Sequence, residues 1–326
     1  MTDMKKLPLA LTVLGLGAAA SHAEIKINDN LSTSGFIDMS LNGVAPDGGD
    51  ATLNASLDQF ELDFMYKFGP VSARADVNAT PSFSSPGAPF ADTSREATSS
   101  SVYLEQAFVT ANLGSLAISG GRFLSSSGFE AAEPTGMYQY SYSKTLVYGY
   151  YQNGLNLSYT TPKFGIYGAV VSDLWNPQEF EIMNSPGFEG QISVMPVEGV
   201  TAKAAYLFQM YDTDVTGGED NKSLLNVWAQ YAKGAITVAG EFNMMTNWVG
   251  DKGGMGWLGM ANYKFTDLAA ATVRYSGIQI EDGDPDTEIT FSPSFLVSPN
   301  WLALAEAKYE IDMKNFAYAL ESTFSF

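Results

Sequence analysis

The pair Glu130 and Glu133, three residues apart, and the aspartates Asp282, Asp284 and Asp286, at alternate positions, are the groupings in this chain that could carry chemistry. A pair of carboxylates can divide acid and base work, as in glycoside hydrolysis. Alternating aspartates open a calcium loop, which also needs glycine at its sixth position and a bidentate acid at its twelfth. Those positions hold Thr287 and Pro293, so the aspartates read as a solvated acidic loop. The two glutamates lie in a Ser- and Gly-rich stretch with no second catalytic element, which argues against an enzyme. Cysteine is absent, so there are no disulfides and no thiol chemistry. The single histidine is His22. No glycine-rich loop fits a phosphate, and no cofactor is expected.

His22 lies in a segment expected to be removed. Lys5 and Lys6 precede an apolar run from Leu7 to Ala20, and Ser21-His22-Ala23 supplies small residues at the cleavage positions. This pattern predicts a secretory signal peptide over 1–23 and a mature chain over 24–326. The mature chain then offers no histidine for a catalytic triad or a metal. Loss of Asp3, Lys5 and Lys6 leaves 15 basic and 35 acidic residues, a net charge of −20. Such a balance excludes nucleic acid as a partner, because phosphates require clustered Lys and Arg. At 13% aromatic and 45% hydrophobic residues, the chain is far too apolar to be disordered.

The elements that must position these groups alternate with period two. From Gln59 to Phe68, Phe60, Leu62, Phe64, Tyr66 and Phe68 share one face, and Glu61, Asp63 and Lys67 lie on the other. Val71, Ala73, Ala75 and Val77 stand opposite Arg74 and Asp76, and the C-terminal stretch alternates through Phe316, Tyr318, Leu320, Phe324 and Phe326. Such alternation predicts strands with one apolar face. About sixteen can be drawn between residues 31 and 326. Short links such as Gly69-Pro70, Gly114-Ser115 and Pro299-Asn300 alternate with longer ones such as VAPDGGDATLNA, TDVTGGEDNK and EDGDPD. The fold expected is all-β: a transmembrane antiparallel up-and-down β-barrel of about 16 strands, its short turns in the periplasm. A soluble β-sandwich also alternates, but its turn lengths need not obey this parity. The stretches 101–113 and 116–124 alternate poorly, and Gly120-Gly121 is the expected bulge.

A barrel in lipid turns its apolar face outward and its polar face to water. Glu61, Asp63, Arg74, Arg274 and Lys308 are then expected to line the lumen. The stretch GRFLSSSGFEAAEPTGMYQYSYS combines flexible serines and glycines with Arg122, Glu130, Glu133 and the alternating Tyr138, Tyr140 and Tyr142. These are the materials of a loop folded inward to narrow a pore, where charge sets selectivity and tyrosine suits a wall wet on one side. An ordinary surface loop is the competing reading. The terminal Phe326 matches the aromatic signal that outer-membrane barrels present to their insertion machinery.

The segment from Tyr103 into the strand ending near residue 175 resembles the OmpL-like β-barrel porins, the porin-2 group. The resemblance rests on Glu105-Gln106-Ala107-Phe108, Gly121-Arg122-Phe123, Gly128-Phe129-Glu130, Pro134 and Ser141-Tyr142-Ser143. It implies an outer-membrane pore with no specified solute. The function expected is a passive channel for small hydrophilic solutes, with outer-membrane lipid and lipopolysaccharide as surroundings and a homotrimer left open. The wall charges carry both signs, so mild cation preference is expected to come from acidic loops holding Asp47, Asp50, Asp212, Asp214, Glu219, Asp220, Glu281, Asp282, Asp284 and Asp286. The alternative is a non-conducting barrel whose acidic loops bind a partner or the envelope surface.

Overall fold

A computed structural model describes residues 24–80, 101–145, 151–175, 185–211 and 221–326. The expected signal segment, the start of the strand drawn from residue 146, and Asp212, Asp214, Glu219 and Asp220 lie outside the described residues. A two-residue strand β1 (Ile25–Lys26) is followed by sixteen longer strands: β2 (Leu31–Ala45), β3 (Asn54–Phe68), β4 (Val71–Thr80), β5 (Ser101–Leu113), β6 (Leu116–Leu124), β7 (Tyr151–Thr160), β8 (Phe164–Val171), β9 (Gly187–Val194), β10 (Val200–Gln209), β11 (Lys222–Lys233), β12 (Ile236–Val249), β13 (Lys252–Lys264), β14 (Ala269–Ile280), β15 (Asp286–Ser298), β16 (Trp301–Glu310) and β17 (Asn315–Ser325). Each pairs antiparallel with its sequence neighbours, and β17 pairs β2 from Phe316↔Ala45 to Ser325↔Phe36. That last ladder closes the barrel, leaving no unpaired edge among the described strands in a medium that cannot satisfy one. The sixteen strands drawn from the sequence are these, with ends shifted by a few residues.

Two-residue turns at Gly69-Pro70 and Gly114-Ser115 put a glycine at φ 57° and 73°, a left-handed backbone that an L side chain resists. Phe326 adds a backbone pair to this closure. Phe326 donates its amide to the Gly35 carbonyl and accepts from the Gly35 amide, both at 2.9 Å. Its ring stacks on Phe60 at 6.5 Å and leans on Phe324 at 6.4 Å. A Cβ on Gly35 would lie 2.3 Å from the Glu61 carbonyl oxygen and 3.0 Å from that ring, so the glycine lets the neighbouring strand and the Phe326 ring both approach.

The polarity is that of a membrane barrel. On β12, Val238, Phe242 and Met244 are exposed, whereas Thr237, Glu241 and Asn243 are buried. The outward side chains have the character of hydrocarbon and face lipid, and the inward ones face each other and the lumen. The inner face is not polar throughout, as the alternation had suggested. Phe123, Val171, Leu207, Leu224 and Met245 point inward and pack into one apolar cluster with Leu174 from the β8–β9 link. An inward apolar side chain is stable where it meets others that exclude water from it.

The expected bulge is displaced. Strand β6 pairs β5 without a register shift from Leu113↔Leu116 to Ala107↔Arg122, so Gly120-Gly121 is not the irregularity. The shift lies in β5 against β4, where Asp76 faces Gln106 and Val77 faces Leu104, leaving Glu105 as the extra residue. Glu105 and Gln106 are consequently both buried. A bulge reverses which face the following residues take, which is why β5 alternates poorly in the sequence. Gly121 serves close approach instead: a Cβ there would lie 2.3 Å from the Ala107 carbonyl oxygen. A second bulge, at Asp58 in β3, lies between the pairs Asp38↔Gln59 and Met39↔Leu57.

Candidate pore constriction

The segment from Ser125 to Thr145 leaves β6 and crosses the interior of the barrel. Its first residues bind inward side chains of the near wall. Ser125 Oγ donates to Glu189 at 2.8 Å, the Ser126 amide donates to Glu189 at 3.1 Å, and the Gly128 amide donates to Asn226 at 3.2 Å. Phe129 meets the Trp228 ring edge-on at 5.5 Å. A 3₁₀ turn over Pro134–Gly136 reverses the chain, proline supplying its fixed φ at the start. The return limb reaches other strands. Tyr140 Oη is 3.1 Å from Asn42 Nδ2 and 3.2 Å from Ser40 Oγ on β2, and the Ser141 amide donates to Glu306 on β16 at 3.0 Å. Partners on β2, β9, β11 and β16, all in inward register, place the segment inside the barrel.

The strongest anchor is Arg274 on β14, fully buried. Its Nη1 donates to Glu130 at 2.5 Å and to the Ser141 carbonyl at 2.7 Å. Its Nη2 donates to Glu288 at 3.0 Å and to the Tyr142 carbonyl at 2.9 Å. Glu130 also accepts from Ser143, and Lys308 Nζ lies 3.6 Å from Glu288. A planar guanidinium offers five donors, and here it joins two carboxylates and two backbone carbonyls. Lys144 adds ion pairs to Asp286 at 3.0 Å and Glu310 at 3.5 Å.

Across the lumen, β3, β4 and β5 present a group of acids. Glu61, Asp63, Asp76 and Glu105 are buried, and Glu133 of the crossing segment joins them. Among the described residues, Arg74 is the one base paired within this group, with Nε 2.8 Å from both Asp76 oxygens and Nη2 3.6 Å from Asp63. Gln59 donates to Glu61 at 2.9 Å, Asn78 to Glu105 at 3.2 Å and the Tyr151 hydroxyl to Glu133 at 2.9 Å. Burial, then the charge of Glu105, pushes the Glu133 carboxyl up to about 8.

Among the described residues, a long segment thus crosses the closed lumen with acids massed on one side of it. The family model described as Putative beta-barrel porin-2, OmpL-like matches residues 18–295. The chain belongs to this family. No curated protein sequence matches the porin. Among solved structures it is similar to the outer membrane channel DcaP of Acinetobacter baumannii, with a TM-score of 0.65 at 12% identity over 91% of this chain and 97% of that one. It is also similar to OmpT of Vibrio cholerae in a trimer form, with a TM-score of 0.61 at 11% identity over 91% and 100% of the two chains. OmpF of Salmonella typhi in complex with daunomycin gives 0.63 at 12% identity over 93% and 100%. At these identities the structures speak for the barrel, and the family match speaks for the class. The protein is an outer-membrane porin.

The porin gathers most of the residues singled out from its sequence into two groups. Glu130, Arg274 and Lys308 meet on one side of the crossing segment, and Glu61, Asp63, Arg74 and Glu133 on the other. The tyrosines do not form a row along one wall. Tyr138 packs beside Ala239, Leu258 and Met260, Tyr140 binds β2, and Tyr142 donates to the Ala132 carbonyl at 2.6 Å, tying the segment to itself. Arg122 lies on the same alternate of β6 as the exposed Ile118, at the seam with β5. Its Nε donates to the Glu105 carbonyl at 2.9 Å, and its guanidinium lies 5.8 Å from the Tyr151 ring centre. The residues missed are Glu105, Asp76, Glu288 and Lys144. Period-two reading put Asp76 on the polar face beside Arg74 without singling it out and could have found Glu288, but Glu105 is turned inward by the bulge.

Proposed function

We propose that this porin passes small hydrophilic solutes by diffusion through the lumen left beside the crossing segment, and that its acidic wall makes it mildly cation-preferring. The observation that carries this is the cluster of Glu61, Asp63, Asp76, Glu105 and Glu133 with Arg74 as its one paired base among the described residues. The weight of selectivity thereby moves from the mouth to the interior. Carboxylates in a narrow low-dielectric channel concentrate cations more strongly than the same charges at a mouth, where salt screens them within ~10 Å at 0.1 M. Asp47, Asp50, Glu281, Asp282 and Asp284 remain as an outer acidic rim.

Reversal potentials in a KCl gradient test the reading. Cation preference is expected at low salt, weakening as mean concentration rises. Because Glu133 titrates near 8, preference should also strengthen as pH rises from 7 to 9, when this carboxyl acquires its charge. Glu133→Gln should remove that pH response. Anion preference at low salt would contradict the proposal and transfer control to Arg274, Lys308 and Lys144. The absence of any conductance in planar bilayers would favour a plugged barrel. Assembly as a homotrimer, the form recorded for the OmpT neighbour, is the expected oligomeric state.

Phe326 is proposed to dock the last strand during insertion. Its deletion is expected to lower the outer-membrane yield and leave protein in the periplasm, with little change in the melting of the barrel that does insert. Unchanged heat-modifiable barrel in the membrane fraction would count against the role.

A further inference from the structure

We propose that the outer face of β7–β10 holds one phospholipid of the periplasmic leaflet, with an acyl chain in a groove floored by Gly168 and Gly190 and its phosphate at Lys163. The groove has a volume of about 720 Å³, and its walls include Leu155, Leu157, Val170, Phe188, Tyr206 and Phe208. The two glycines stand opposite each other across the β8–β9 ladder, with Leu157 beside Gly168 and Tyr206 beside Gly190. Both lie on the outward alternate, in phase with the exposed Ile166, Val170, Phe188 and Ile192. No register shift interrupts these ladders, and neither glycine has a positive φ. A Cβ on Gly190 would meet nothing within 4 Å, and one on Gly168 would only touch the Glu189 carbonyl oxygen at 3.9 Å. The chain's own packing therefore requires glycine at neither place, although glycine weakens a strand interior. Without a bulge or tight bend, such a glycine marks the close approach of something else.

What approaches is indicated by the lower end of the groove. About 16 Å down β8 from Gly168, the β7–β8 turn carries Lys163, exposed and reached by no ion pair among the described residues. The turns on either side offer no competing charge: Gly114-Ser115 is neutral, and Glu198 is paired with Lys233 at 3.1 Å. Between Lys163 and the groove, the outward rings of Tyr159 and Phe164 lie 6.0 Å apart, where an aromatic girdle meets the headgroups. Apolar groove, girdle and unpaired cation follow one another along one face in the order of acyl chain, glycerol region and phosphate. The lysine stands at the end with the short turns, which is the periplasmic end. The phosphate is therefore that of a phospholipid and not that of lipopolysaccharide, which occupies the opposite leaflet. One lysine at this height favours a net-negative headgroup over a zwitterionic one.

Native mass spectrometry of the full mature chain, delipidated in detergent and titrated with phosphatidylglycerol, tests the site without requiring an open pore. One lipid per chain is expected to bind saturably. Gly190→Leu fills the groove from a position where its Cβ meets none of the chain's own atoms, and should weaken binding by ~10-fold or more. Lys163→Gln, in an exposed turn, should weaken phosphatidylglycerol about five-fold, to the level of phosphatidylethanolamine. Val273→Leu, on the outward face of β14, should leave binding unchanged. Heat-modifiability confirms that each variant is a folded barrel. Absence of saturable phosphatidylglycerol in the unaltered chain would overturn the proposal, as would full affinity in Gly190→Leu or in Lys163→Gln. Tighter binding of lipid A than of phosphatidylglycerol would overturn the assignment to the periplasmic leaflet. If Gly190→Leu instead separates an assembly of copies while each chain keeps its lipid, the groove is a contact between copies and the proposal fails.

Discussion

Arg274→Ala is expected to free the crossing segment and give a porin with larger, noisier single-channel conductance. The guanidinium is fully buried and holds Glu130, Glu288 and two carbonyls of the return limb. Removing it leaves two carboxylates buried without their partner, and breaking a buried pair in this way costs about 3–5 kcal/mol. The segment can relieve that cost by leaving the wall, because its own Glu130 is one of the stranded charges. Glu288 keeps Lys308 at 3.6 Å and should stay in place. The double variant Arg274→Ala, Glu130→Gln should therefore recover part of the lost thermal stability without restoring the quiet current. Unchanged conductance and unchanged melting in Arg274→Ala would show that the segment is held by its other bonds.

The second large effect separates the two faces of one strand. Phe64→Arg places a charge on the outward face of β3, where Phe64 is 37% exposed, and should cost ~2–4 kcal/mol if it lies near the bilayer midplane. Asp63→Arg, one residue away, enters the acid group. It loses the 2.9 Å bond from Ser34 Oγ and sits near Arg74, but Glu61, Asp76, Glu105 and Glu133 surround it. It is expected to insert normally and to move the reversal potential toward anions. Refolding yield and urea midpoint measure the first variant, and a KCl gradient measures the second. Equal loss of folded barrel in both would remove the assignment of faces on this strand.

These variants also mark how far the residues alone could be read. Phe64 and Asp63 fall on opposite faces because a pleated strand alternates at every residue. The same local rule placed Glu61, Asp63, Arg274 and Lys308 inside, where each is found buried. It failed at β5, where one extra residue at Glu105 changes the phase, and no residue type announces a bulge there. It failed again on the inner face at Phe123, Leu207 and Leu224, which are apolar and inward because they pack against each other. Alternation states which residues share a face. It does not state what that face meets.

Strand number, the parity of the turns and the outward apolar face were determined by the chain itself, since each follows from neighbours within a few positions. The path of residues 125–145 was decided by the closed barrel. Glu130 and Arg274 are 144 positions apart, and Ser141 and Glu306 are 165 apart. Such pairs form only when β17 closes on β2 and curvature brings β14 and β16 within reach of a segment rooted at β6. The acid group has the same origin. Glu61, Glu105 and Glu133 come from two strands and a crossing segment, and their repulsion is a property of the closed lumen that no stretch of sequence contains.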